Sequence, residues 1–124
     1  MERMRVQDPL RRARVLALVD SGVPATGRDF QNAATVLQHG QESTDFMLAH
    51  ELSLAAYALG DTTALWLVAR SYDRMLLHLG HRQRLATQFH GQTLWPMDDT
   101  AMNDRVRVAL GGRSLRDVRA GAHP

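Results

Sequence analysis

The stretch Asp73-Arg74-Met75-Leu76-Leu77-His78-Leu79-Gly80-His81-Arg82-Gln83-Arg84-Leu85-Ala86-Thr87-Gln88 starts on an apolar helix face, crosses a glycine and ends in a run of hydrogen-bonding side chains. Upstream of Gly80, apolar residues recur at helical spacing; downstream, that period is lost. The change predicts an all-α fold, a compact antiparallel bundle of about five helices with an irregular loop segment near 81–97. The 124 residues are expected to form a single helical domain.

Composition narrows the chemistry. A hydrophobic share of 44% and a charged share of 23% are those of a globular chain. The chain has no Cys, which excludes thiolate catalysis, disulfides and cysteine-bound metals. It has no Lys, which excludes a Schiff-base lysine and a phosphate-loop lysine. Ile is absent as well, and the joint loss of Lys and Ile reads as a GC-rich bacterial coding bias. A net charge of +2 is too small to argue for a nucleic-acid partner. The longest apolar run, Ala64 to Ala69, is far too short for a membrane span, and no signal core follows Met1. The expectation is a cytoplasmic protein with no membrane partner.

Taken in order, residues 1–8 read as a polar lead, with Asp8 as N-cap and Pro9 in the first turn of a helix that Gly22 stops. Arg11, Arg12 and Arg14 fall on its outer side, as a solvated basic face or an anionic-partner surface. Gly22 to Gly27 reads as a turn. Thr26 or Asp29 caps a second helix to about Gln38–His39, with Gly40 beyond its end. Ser43-Thr44-Asp45 caps a third helix, ended by Gly60, and Asp61-Thr62-Thr63 caps a fourth, to Leu79. The fourth is apolar over most of its circumference and is expected to be central. Short connections make these helices antiparallel neighbours. Asp98 or Asp99 is expected to cap a last helix from about Thr100 to Leu110, Ser114 to Arg119 a final turn, and Ala120–Pro124 a loose tail.

Asp73 carries the strongest chemical signal. It shares a helix face with Trp66, Ala69, Leu76 and Leu77, and a buried unpaired carboxylate is costly. Either Arg70, Arg74 or Arg84 pairs with it structurally, or it orients a histidine or binds substrate. His39 and His50 sit either side of a short turn and suit proton transfer near neutral pH. A helix C-cap for His39 and a satisfied core histidine for His50 are the structural alternatives. Gln83, Arg84, Thr87 and Gln88 form a donor-rich set suited to a carboxylate, phosphate or polar carbonyl. Equally, they can satisfy the backbone of a bare loop. No glycine-rich phosphate loop, nucleophile elbow or zinc-protease motif is present.

Asn32-Ala33-Ala34, Gln38-His39, Ala49-His50, Gly60-Asp61, Trp66-Leu67, Asp73-Arg74, Gly80, Gln83-Arg84, Thr87-Gln88, Pro96 and Asp104 together resemble a bacterial helical family of unknown function. Its members carry a QH element, a DR pair and a Gln-Arg-aromatic-Gly-Thr-Gln segment. The resemblance spans roughly residues 7–120. It implies that His39, Asp73, Arg74, Gln83, Arg84, Thr87 and Gln88 matter, and it implies no activity. Leu85-Ala86 departs from the pattern, standing where the family has an aromatic residue and Gly. That departure bears on the loop backbone, because Ala tolerates positive φ poorly.

The reading that follows is a small acid–base enzyme acting on a small polar or anionic substrate by isomerisation, cyclisation, elimination or hydrolysis. His39 or His50 is the acid or base, and Asp73 orients it. Arg74, Gln83, Arg84, Thr87 and Gln88 hold the substrate. No cofactor and no metal are expected, and a homodimer is left open. The alternative is a non-catalytic binding or protein-interaction module. A third reading makes His39, His50 and Asp73 metal ligands.

Overall fold

The structure, a computed structural model, describes residues 2–22 and 26–121, with side chains from residue 9 onward. Val23–Ala25 of the expected turn and Ala122–Pro124 of the expected tail lie outside those residues. Among the described residues the chain forms α1 (Glu2–Ser21), α2 (Gly27–Gln38), α3 (Ser43–Ala58), a 3-10 turn (Thr62–Ala64), α4 (Leu65–His78), β1 (Phe89–His90), β2 (Thr93–Leu94), α5 (Asp104–Ala109) and α6 (Leu115–Arg119). The all-α class is as expected. No helix among the described residues is long and apolar enough to cross a membrane.

Local signals account for most helix boundaries. Thr26 and Asp29 cap α2 together: the Asp29 N–H donates to Thr26 Oγ1 over 3.1 Å, and the Thr26 N–H to Asp29 Oδ2 over 3.3 Å. The ends of α3 and α4 share one geometry. The Gly60 N–H donates to the Tyr57 carbonyl and Asp61 to Ala56; Gly80 donates to Leu77 and His81 to Leu76. Each end needs a left-handed residue, and Gly60 (φ 102°) and Gly80 (φ 85°) supply it.

Three boundaries differ from the sequence reading. α1 begins at Glu2 and runs through Pro9, so residues 2–8 are helix and Asp8 is no N-cap; Glu, Arg, Met and Gln there are good helix formers. α3 starts after Glu42, and Asp45 lies a turn inside it, with an oxygen 3.4 Å from the Glu42 N–H. α5 starts at Asp104, not near Thr100, because Asn103 accepts the Val106 N–H over 3.0 Å and forms the cap.

The core joins Ala33, Ala34 and Leu37 of α2, Ala49 and Leu52 of α3, and Leu67 of α4, with Val15, Leu16 and Val19 of α1 packed against it. The central helix is α3, not α4: it packs on both α2 and α4, which meet each other far less. Small buried side chains on α3 (Ala49, Ser53, Ala56) let both neighbours approach closely. On the basic face of α1, Arg12 grips the buried Asp45 carboxylate of α3 through two nitrogens, Nε and Nη2, at 2.6–2.8 Å.

Candidate functional site

Past α4 the chain folds back over the helix, and Asp73 is the reason. The carboxylate is fully buried. Its Oδ1 accepts the backbone N–H of Arg84 at 2.9 Å and of Leu85 at 3.0 Å. Its Oδ2 accepts the Thr87 N–H at 3.1 Å and the Thr87 hydroxyl at 2.7 Å. Residues 84–87 are thus wound around one carboxylate. The winding needs a left-handed residue, and Ala86 takes it at φ 58°. Burial pushes the Asp73 carboxyl above its ordinary value, and the four donors pull it partly back.

Gln83 does the same for the next stretch. It is fully buried, and its Nε2 donates to the carbonyls of Gln88 and Trp95, each at 2.9 Å, while its Oε1 accepts the Gln88 N–H at 3.0 Å. Its backbone adds the Gln83 N–H to Pro96 and the Asp98 N–H to Gln83. The short antiparallel hairpin, Phe89 opposite Leu94 and His90 opposite Thr93, hangs from this anchor.

A third anchor escaped the sequence reading. Arg107 is 2% exposed and donates to the Arg84 carbonyl at 3.3 Å, the Asp99 carbonyl at 2.9 Å and Asp104 at 2.7 Å. Asp104 in turn accepts the N–H groups of Leu115 (2.7 Å) and Arg116 (3.1 Å) and the Ser114 hydroxyl (3.0 Å). These donors hold its carboxyl well below the usual range. The available signal was the Asp104–Arg107 spacing, which puts both on one helix face.

These bonds decide where the sequence-selected residues stand. Asp73, Gln83 and the backbone of Arg84 are consumed in anchoring, and the expected pairing of Asp73 with a histidine is not made. The Arg84 side chain lies 3.7 Å from Asp98, both more than a third exposed. His50 faces α4: its Nδ1 lies 3.0 Å from the Val68 carbonyl and 3.4 Å from the Ser71 hydroxyl, and its ring lies beside Tyr72. A carbonyl only accepts, so Nδ1 carries the proton. His39 is the C-cap of α2 and exposed. The expected meeting of His39 with His50 and Asp73 does not occur. Among the described residues no group of three His, Asp or Glu is placed to hold a metal ion.

The remaining residues do converge. A cleft of about 380 Å³ lies between the end of α2, one face of α4 and the strand-side loop. Gln38 and His39, Arg70 and Arg74, and Thr87 and Gln88 line it, with Trp66 and Phe89 as aromatic walls. Arg70 and Arg74 are one helical turn apart, on one face. The Arg70 guanidinium lies 5.1 Å from the Trp66 ring centre, and that of Arg74 lies 5.3 Å from the Phe46 ring centre. Among the described residues neither is paired with a carboxylate. Burial holds both guanidiniums below their ordinary pKa. Gln38 is buried, and its Oε1 has no hydrogen-bond partner among the described residues. A wider groove of about 970 Å³ opens alongside and shares Arg74, Gln88 and Phe89.

No protein-family model, curated protein or solved structure matches this chain.

Proposed function

We propose that the protein binds a small anionic molecule in this cleft, and that His39 exchanges a proton with it. The observation that carries this reading is the pair of partly buried arginines, Arg70 and Arg74, which line the cleft with no carboxylate partner among the described residues. Removing a guanidinium from water without a counter-charge costs free energy, and a bound anion offsets that cost. Gln88 adds a side-chain amide. Gln38 Oε1 is left as an acceptor for a ligand hydroxyl or amide after a small side-chain rotation.

Among the described residues His39 is the only histidine lining this cleft, and an imidazole is a side chain that can both give and take a proton near neutral pH. Isomerisation, cyclisation, elimination or hydrolysis of a small anion suits this set. Asp73 drops out of the proposed catalytic group and becomes the residue that fixes Thr87 and Gln88 at the cleft wall. The family resemblance carries forward as a proposal in the same sense: the QH element and the second half of the QR-x-x-TQ segment meet at the cleft, and the remainder of that segment is scaffold. A cytoplasmic setting belongs to the same proposal, since small anionic metabolites abound there.

The test is a screen of small carboxylates and phosphates for binding and turnover, on the intact protein and on His39→Ala and Arg74→Gln. Lost turnover with retained binding in His39→Ala supports the enzyme. Binding without turnover by the intact protein leaves a binding module. If no anion binds, the reading is wrong.

A further inference from the structure

We infer that the cleft is built for a phosphoryl dianion, held by Arg70 and Arg74 and backed by Arg113. The inference rests on the anion-binding reading above and names its ligand class.

The argument starts behind the cleft wall. The Arg113 guanidinium lies 6.0 Å from the ring centre of Phe89, whose ring forms that wall. Its Nη1 is buried and has no hydrogen-bond partner among the described residues. The Arg113 N–H donates to the Leu85 carbonyl, so its backbone is fixed to the loop that Asp73 winds. Burial first, and repulsion from Arg113 after it, hold the Arg70 guanidinium below its ordinary value. Two guanidiniums thus line the cleft and a third stands behind its Phe89 wall, and among the described residues no carboxylate pairs with any of them.

A fold gains nothing from such a cluster when it is empty. Like charges repel, and burial strengthens the repulsion. A single carboxylate offsets one unit of charge and presents two oxygens. A phosphoryl group in its doubly ionised form offsets nearly two units and presents three oxygens to several guanidinium forks at once. The adjoining groove, walled by Trp95 and Pro96, has room for an organic body attached to the phosphoryl group.

The experiment is calorimetric titration of the intact protein with inorganic phosphate, phenyl phosphate and acetate in mildly alkaline buffer. It is repeated on Arg70→Gln and Arg113→Gln, with the Tm of each ligand-free variant. Both phosphates are expected to bind at least about tenfold more tightly than acetate and to weaken as salt rises. Each variant is expected to lose at least about tenfold in phosphate affinity while its ligand-free Tm rises, because a cation has left a like-charge cluster. Tighter binding of phenyl phosphate supports an ester seated in the groove; equal binding supports free phosphate at the same dianion site. Acetate bound as tightly as phosphate overturns the dianion inference and leaves the anion-binding reading in place. No binding of any of the three overturns both. Variants that lose Tm and keep phosphate affinity mark the arginines as structural and overturn the inference.

Discussion

The Thr87 hydroxyl donates to Asp73 Oδ2 over 2.7 Å, and the N–H of the same threonine donates to the same oxygen over 3.1 Å. One carboxylate oxygen on α4 thereby fixes both the backbone and the side chain of a residue in the cleft wall. With the Arg84 and Leu85 N–H groups on the other oxygen, Asp73 converts an irregular segment into a single conformation.

Replacing Asp73 with Asn is therefore expected to cost stability before it costs chemistry. The amide NH2 must face at least one fixed N–H donor, leaving buried donors unmet. The expected loss is about 2–4 kcal/mol by chemical denaturation, given about 1–3 kcal/mol per unsatisfied buried group. Amide exchange at Leu85 and Thr87 is expected to accelerate in parallel. A loss under about 1 kcal/mol would show that the loop holds without its carboxylate.

Thr87 separates hydroxyl from backbone. Thr87→Val keeps the shape and the N–H bond and loses the hydroxyl donor, for an expected cost of about 1–2 kcal/mol. Thr87→Ser is expected to retain most of the stability. A larger cost for Thr87→Ser than for Thr87→Val would assign the effect to the methyl group instead.

Ala86 tests the strained turn. Its left-handed backbone costs about 1–2 kcal/mol relative to a right-handed residue. Ala86→Gly relieves that strain but adds chain entropy and removes a fully buried methyl group, so its Tm is expected to stay close to the parent. Ala86→Val places a β-branched residue at positive φ and is expected to lose several degrees of Tm. A Val variant as stable as the parent would mean that the backbone leaves this conformation.

The two anchoring carboxylates give opposite pH dependences. Asp104 has a folded pKa held below its ordinary 3.8, so its contribution to stability is present above pH 3.8 and is lost as pH falls through the folded value. Asp73 has a folded pKa raised above 3.8, so the folded state holds a proton more tightly, and stability from this group rises as pH falls toward 3.8. Removing Asp104 is expected to flatten the acid limb of a Tm-against-pH curve. An unchanged limb in Asp104→Asn would assign acid unfolding to other carboxylates.

Arg107 and His39 mark the divide between scaffold and cleft. Arg107→Lys keeps the charge but cannot reach three separate acceptors, and is expected to cost about 2–4 kcal/mol from a buried position. His39→Gln replaces an exposed side chain and is expected to change stability by less than about 0.5 kcal/mol. Denaturant midpoints of the two variants measure the contrast, and similar losses would remove it.

The sequence by itself determined the helices and most of their ends. Apolar spacing, the Thr26–Asp29 pair, Gly60 and Gly80 act within a few residues of themselves, so their effects are legible without the fold. The loss of period after Gly80 likewise marked residues 81–97 as irregular. Only tertiary structure decided what the polar residues do. A buried aspartate reads the same whether it meets a histidine, an arginine or a loop backbone, and the donors that claimed Asp73 are N–H groups, which every sequence carries and none advertises. No local pattern marks Arg107 as buried, because its acceptors lie 3, 8 and 23 residues away in the chain. Arg70 and Arg74 look equally ordinary in sequence; packing alone sets both on one cleft, where among the described residues neither meets a carboxylate.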